Sequence, residues 1–269
     1  MSLLAFQRAL AALAASPELC RRVRTGDPAA LSAYELTPLE HRRLVSAAGQ
    51  PGMAVNCTLH RSNRISSILN LLPGTIHLLG KELRPVADRF WARHPNPDFT
   101  TRREVRRFCG WLMDEARAGR IASPFLADVT GWELAQYELR MVSRKRTLAR
   151  VADDAERWPD GPLAVHPLVR VAAFRHDPDV LLPLVARKAP PPWDDVPTGE
   201  FYRLADVREP ARVVAPLDVP AGRALLAIER GEPVPEDQRD ALLAARLLVR
   251  IAPASADATE PTPELAAAV

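Results

Sequence analysis

The sequence predicts an α+β fold in which a helical bundle fills the N-terminal half and a smaller unit of strands and short helices follows. Three observations carry this reading. Short polar residues repeatedly precede proline in the first half, at Ser16–Pro17, Asp27–Pro28, Thr37–Pro38 and Ser123–Pro124. Apolar positions there recur every three or four residues, as in Ile65, Ile68, Leu69 and Leu72, and again in Val105, Phe108, Leu112 and Met113. Around Trp158 that periodicity gives way to the punctuation "WPDGPLAVHP" and then to β-branched alternation.

Each element follows from local chemistry. Leu3, Phe6, Leu10 and Leu13 predict an amphipathic first helix. A secretory signal would carry its basic residue ahead of the apolar stretch, whereas here the basic residue sits inside it. In the polar–proline pairs the side-chain oxygen accepts from free first-turn N–H groups, and proline supplies the helical φ where its missing N–H costs nothing. Thr37 with Glu40, and Thr101 with Glu104, add the capping-box spacing. The longest helix is predicted from Pro124 to near Trp158 and ends in the basic run "RMVSRKRTLAR".

Residues 1–157 therefore read as the bundle and 158–200 as a linker with a strand at "LVRVAAF". Residues 201–252 read as a hairpin of "FYRLADV" and "ARVVAPL" followed by two short helices. Gly231 closes the first helix, and "LLVRI" returns as a strand, an order that is winged-helix-like. Residues 253–269 are rich in Ala, Pro and Thr and poor in large apolar groups, which predicts a disordered tail.

Composition narrows the function classes. The chain has 269 residues and a net charge of only +3, so global charge does not identify a nucleic-acid binder. No run of eighteen apolar residues occurs, and a cytoplasmic protein is expected. Cys20, Cys57 and Cys109 lie far apart with no CxxC pair, which reads as reduced structural thiols. Cys57, His60 and His77 have a spacing that zinc or iron could accept, but no acid or second cysteine pair joins them, so a structural set is expected and no metal site. No P-loop, GxGxxG, GxSxG or HExxH is present, and a binding protein is expected rather than an independent catalyst.

Two sets of residues are candidates for binding. Arg61, Arg64, Arg102, Arg103, Arg106, Arg107, Arg144, Lys145 and Arg146 would form a phosphate-contacting stripe if their helices align, although Glu82, Asp88, Glu104 and Asp153 are interspersed among them. Arginine pairs equally well with an acidic protein or peptide, so charge does not choose the partner. In "FYRLADV", an open strand edge would let Tyr202, Arg203, Leu204, Ala205 and Asp206 pair with an extended peptide. The alternative is a strand covered on both sides.

A further pattern runs in order through Leu72–Pro73, Leu79–Gly80, Phe90, His94–Pro95, Phe108, Leu112, Pro124, Leu126, Asp128 and Glu133. Over roughly residues 55 to 150 it resembles the helical domain of a family that carries a DNA-binding label. Members of that family are the partner proteins of multinuclear non-haem iron-dependent oxidative enzymes in methanobactin and thiaglutamate biosynthesis. The hairpin and helices of 201–252 are similar to a precursor-peptide recognition element. The resemblance implies a noncatalytic subunit of a heterodimer with such an enzyme, with no cofactor in this chain and the iron in the partner. It implies leader capture by strand addition at Tyr202 to Asp206, or on the paired strand at Arg212, Val213 and Val214, while Arg61 and Arg64 face solvent or the partner enzyme. "YELTPLEHRRLV" also resembles the small helical subunit of ring-opening extradiol dioxygenases. The competing class is a DNA-binding transcriptional regulator, whose affinity would fall steeply with salt.

Overall fold

The computed structural model describes residues 3–94 and 100–253, with the backbone alone at positions 54, 58, 60 and 67. The fold is mixed α+β with a small antiparallel sheet. The predicted disordered tail, from residue 254 onward, lies outside the described residues. No helix among the described residues is long and apolar enough to cross a membrane. The chain divides into two compact units, Met1–Leu134 with Leu182–Trp193, and Ala135–Leu181 with Asp194–Val269. The division falls inside a helix rather than at Trp158.

The first unit opens with α1 (Leu3–Ala15), α2 (Pro17–Arg24), α3 (Pro38–Gly49) and α4 (Pro51–Leu71). Two of the predicted caps form as expected. Ser16 accepts from the Leu19 N–H at 3.1 Å, and Thr37 exchanges bonds with Glu40 in a full capping box. Asp27–Pro28 starts no helix: the Asp27 carboxylate accepts from the Ala29 N–H at 2.9 Å and pairs with Arg22, so the same oxygen chemistry closes a turn. Leu13, Val23, Leu44 and Cys57 are core residues of these helices, whereas Leu3 and Leu10 are exposed. The Cys57 and Cys20 thiols donate to the carbonyls of Leu13 (3.2 Å) and Ala48 (3.6 Å), and burial pushes the Cys57 pKa up.

Pro73 turns the chain from α4 into α5 (Pro73–Leu79), where it occupies the first helical position. The next two amides, of Gly74 and Thr75, donate to the Glu133 carboxylate at 2.7 and 2.8 Å. A remote carboxylate thus supplies the cap that the local sequence lacks. Gly80 leaves α5 with φ +48, and α6 (Leu83–Arg93) follows. Phe90 meets Phe108 of α7 (Thr101–Arg117) edge-to-face, with centroids 5.2 Å apart. The cap of α7 is Thr100, one residue before the predicted Thr101, and its side chain makes no capping bond.

The predicted long helix is two. α8 (Leu126–Arg140) starts two residues after Pro124 and frays where the Met141 N–H shares the carbonyls of Tyr137 and Glu138, both at 3.2 Å. Ser143 then takes an extended backbone, and α9 (Arg144–Arg157) begins. Neither glycine nor proline marks this break in the sequence.

The second unit holds β1 (Leu163–Val165), β2 (Val169–His176), β3 (Thr198–Asp206), β4 (Val213–Leu217) and β5 (Leu248–Arg250). The first turns of α10 (Pro178–Ala186), then α11 (Val219–Glu229) and α12 (Glu236–Ala244), complete it. β2, β3 and β4 form one antiparallel sheet in that order, and β1 pairs with β5 in a second. The returning strand thus joins β1 and not the hairpin. Asp218 caps α11 by accepting from the Ala221 N–H at 2.7 Å, and Gly231 ends it with φ +71. The core of this unit includes Val169, Val171, Tyr202, Leu204, Leu225, Leu242 and Leu248.

Gly222 sets how closely α11 approaches β3. A Cβ at this position would stand 2.1 Å from Cγ of Tyr202, inside any van der Waals limit. Gly222→Ala is therefore expected to lower the unfolding free energy by about 1–3 kcal/mol, measured by urea titration. An unchanged midpoint would contradict the close packing.

Candidate functional site

Strand order decides which predicted residues can meet a peptide. Tyr202 to Asp206 lie on β3, paired with Ala173 to Val169 of β2 on one side and with Leu217 to Val213 of β4 on the other. The expectation of an open edge on this run fails, because both sides of its ladder are taken. Its side chains are also committed. Tyr202, Leu204 and Ala205 are buried, and Arg203 is ion-paired with Asp179. Asp206 is gripped by Nε and Nη2 of Arg208. Burial pushes the Asp206 pKa up, but the bonds from Arg208 outweigh it and hold the carboxyl below its usual range.

Among the described residues β4 has β3 as its one strand partner. Amide parity shows which of its groups face away. The Val207 N–H donates to the Leu168 carbonyl at 3.0 Å, so the odd-numbered amides at this end of β3 turn toward β2 and the even-numbered ones toward β4. Leu217, Ala215 and Val213 stand opposite Tyr202, Leu204 and Asp206 and close that ladder. Val214 and Pro216 are left on the outward parity. Proline, which has no N–H to give, occupies a place where no ladder bond is lost. The free edge of β4 thus offers the Val214 N–H and the carbonyls of Val214 and Pro216.

The side chains beside this edge suit an extended partner. Val213 and Val214 are 47% and 41% exposed, high for apolar strand residues. Arg212, just ahead of the strand, lies close enough to Arg140 at the end of α8 that burial first, and then this like charge, lower its pKa. Neither arginine makes an ion pair among the described residues. At the opposite end of β3, Glu200 accepts from the Tyr202 hydroxyl and from Arg223 Nε, both at 2.6 Å, and these bonds, that of Arg223 foremost, bring its pKa down to about 2.

In the first unit Arg61 and Arg64 share α4 but differ in exposure. Arg64 is 8% exposed, so it faces inward and not toward solvent or a partner. Its Nε donates to Glu104 Oε1 at 2.8 Å, and Nη2 reaches the same carboxylate. Arg61 donates to Asp88 at 2.9 Å and lies 5.3 Å from the centroid of the Trp91 ring, beside a groove of about 480 Å³ that Pro17 and Arg21 also line. The Arg61 Nε and Trp91 Nε1 donors are buried without an acceptor among the described residues.

The proposed phosphate stripe is divided: Arg61, Arg64 and the arginines of α7 belong to the first unit, Arg144, Lys145 and Arg146 to the second. No group of three metal-ligating side chains occurs among the described residues. Cys57 is bonded to Leu13, His77 Nε2 lies 2.8 Å from the Ala189 carbonyl, and the side chain of His60 lies outside the described residues. Glu104, Trp91 and Arg140 were not singled out as site residues by the sequence reading, since each meets its partner across long separations.

Comparison with protein-family models and with curated proteins finds no match.

The buried pair gives a direct check. Arg64→Met withdraws the guanidinium from a buried carboxylate and is expected to cost about 3 kcal/mol in urea unfolding. Adding Glu104→Leu should recover much of that loss. A double variant no more stable than the single would show the two groups to be uncoupled.

Proposed function

We propose that this chain is a noncatalytic partner subunit that takes up the leader of a ribosomally synthesised precursor peptide by strand addition to β4. It then presents the peptide to a multinuclear non-haem iron oxidative enzyme. The observation that carries the proposal is the edge of β4, free among the described residues, with exposed Val213 and Val214 and with Arg212 and Arg140 at its start, neither of them ion-paired among those residues. Main-chain bonds to that edge would supply affinity, and the valines and arginines would select an apolar segment carrying a carboxylate. A hairpin followed by α11, α12 and a short strand supports a winged-helix-like recognition element. The ordered pattern from Leu72 to Glu133 supports the partner-subunit role. Arg212, Val213 and Val214 keep a binding role on this reading, while Tyr202 to Asp206 hold β4 in place as its neighbour in the sheet. On this reading the iron is held by the partner enzyme, the assembly is a cytoplasmic heterodimer, and Arg61 rather than Arg64 faces the enzyme.

Pro216 limits the docking register. A peptide strand can pair across Arg212 to Val214, but it finds no donor at 216. Val214→Pro removes the one outward N–H within β4 while leaving the bonds to β3. It is expected to raise the dissociation constant for the leader of the precursor peptide at least about tenfold. Circular dichroism should be unchanged, and the wild-type chain should copurify with an iron enzyme from the same cells. Undiminished leader affinity in Val214→Pro would remove β4 from the proposal. A chain that ignored peptide and enzyme but bound duplex DNA would contradict it altogether.

A further inference from the structure

The second unit also contains a cleft of about 550 Å³, lined by α9, the end of α12, β5 and residues 206–209. One wall is apolar, from Leu148, Val151, Leu248 and Val249. The polar groups are unevenly committed. Arg208 holds Asp206 with two nitrogens and reaches the carbonyls of Ala245 and Arg246, at 3.3 and 2.5 Å, with the third. That ion pair is closed. Arg144 donates through Nε to the Arg208 carbonyl at 2.6 Å, and its terminal nitrogens have no acceptor among the described residues.

Arg246 is the more telling residue. It follows the C-cap of α12 with φ +55, a left-handed position where glycine is the ordinary choice, as Gly231 is after α11. Arg246 lines the cleft, and its side chain makes no hydrogen bond or ion pair among the described residues. His166 adds a third donor. It is 5% exposed, and its Nδ1 accepts from the Leu168 N–H at 3.1 Å, so the neutral ring carries its proton on Nε2. Nε2 has no protein acceptor among the described residues. Burial first, and then Arg208, push the His166 pKa below the usual range against the pull of Asp206, which keeps the ring neutral.

We infer that this cleft binds a carboxylate carried on a short aliphatic chain, with the head group held by Arg144, Arg246 and the Nε2–H of His166 and the chain laid along the apolar wall. Arg208 neutralises Asp206, so Glu209 set against Arg144 and Arg246 leaves one net positive charge in the lining, which suits a monoanion better than a doubly charged anion such as phosphate. Either a free aliphatic acid or the C-terminal carboxylate of a peptide ending in an aliphatic residue presents this chemistry.

The test is a heteronuclear NMR titration of the full chain at neutral pH with hexanoate, hexanamide, N-acetyl-glycyl-leucine, its C-terminal amide, and inorganic phosphate. At least one of the two acids is expected to shift the amide signals of His166, Leu168 and 246–249, with its amide counterpart at least about tenfold weaker. The tighter acid identifies the source. Arg246→Gly should weaken that acid about tenfold without lowering the urea midpoint, since glycine fits φ +55. His166→Asn, whose Oδ1 can still accept from Leu168, should weaken it as well. Equal binding of acids and amides, tighter binding of phosphate, undiminished binding in Arg246→Gly, or no shift with either acid would overturn the inference.

Discussion

Pairing of β3 on both sides is the constraint on which the second unit depends. Once Tyr202, Leu204 and Asp206 bond to β4, and Arg203 and Ala205 bond to β2, no main-chain group in this run is left for another strand. The same pairing turns Tyr202 and Leu204 into the core beneath α11. It also fixes the parity of β4, so Val214 and Pro216 face outward. An outward proline shortens the stretch on which another strand can grow, which blunts the edge against indiscriminate association while leaving Arg212 to Val214 available. The hairpin tip is locked in turn by Arg208, which ties Asp206 to the end of α12.

Charge in the first unit is used inwardly. Arg64 and Glu104 neutralise each other out of solvent, and Glu133 caps α5 from a distance of 58 residues in the chain. Such pairs are costly to break but add little over an apolar core of equal volume, so their value lies in fixing which helices meet. A run of arginines that looks like a nucleic-acid surface is therefore partly internal structure. Arg61 lies half-buried against the Trp91 ring and beside the groove at α2, while Arg103 and Arg106 of α7 are exposed.

What could be read from the sequence was what local chemistry decides. Ser16 and Thr37 announce their helices because the oxygen and the N–H groups it caps lie within one turn. Asp27 carries the same signal and makes a turn instead, since its carboxylate can serve Ala29 and Arg22 at once. The break between α8 and α9 has no glycine or proline to mark it. The two hairpin strands were legible from their β-branched residues. That "LVRVAAF" would cover the far side of "FYRLADV" was not, because pairing across some thirty residues leaves no trace in either segment. The burial of Arg64 depends in the same way on Glu104, which lies 40 residues on. Exposure is therefore legible where it follows from strand position, at Arg212, Val213 and Val214, and not where it follows from strand order.

Amide hydrogen exchange with and without the leader peptide tests the central claim most directly. If β4 is the docking edge, the Val214 amide exchanges rapidly in the free chain and becomes protected on binding, while the amides of Tyr202 to Asp206, already in ladders, keep their protection. Leader binding that left Val214 unprotected, or that newly protected only residues away from β4, would contradict strand addition at this edge.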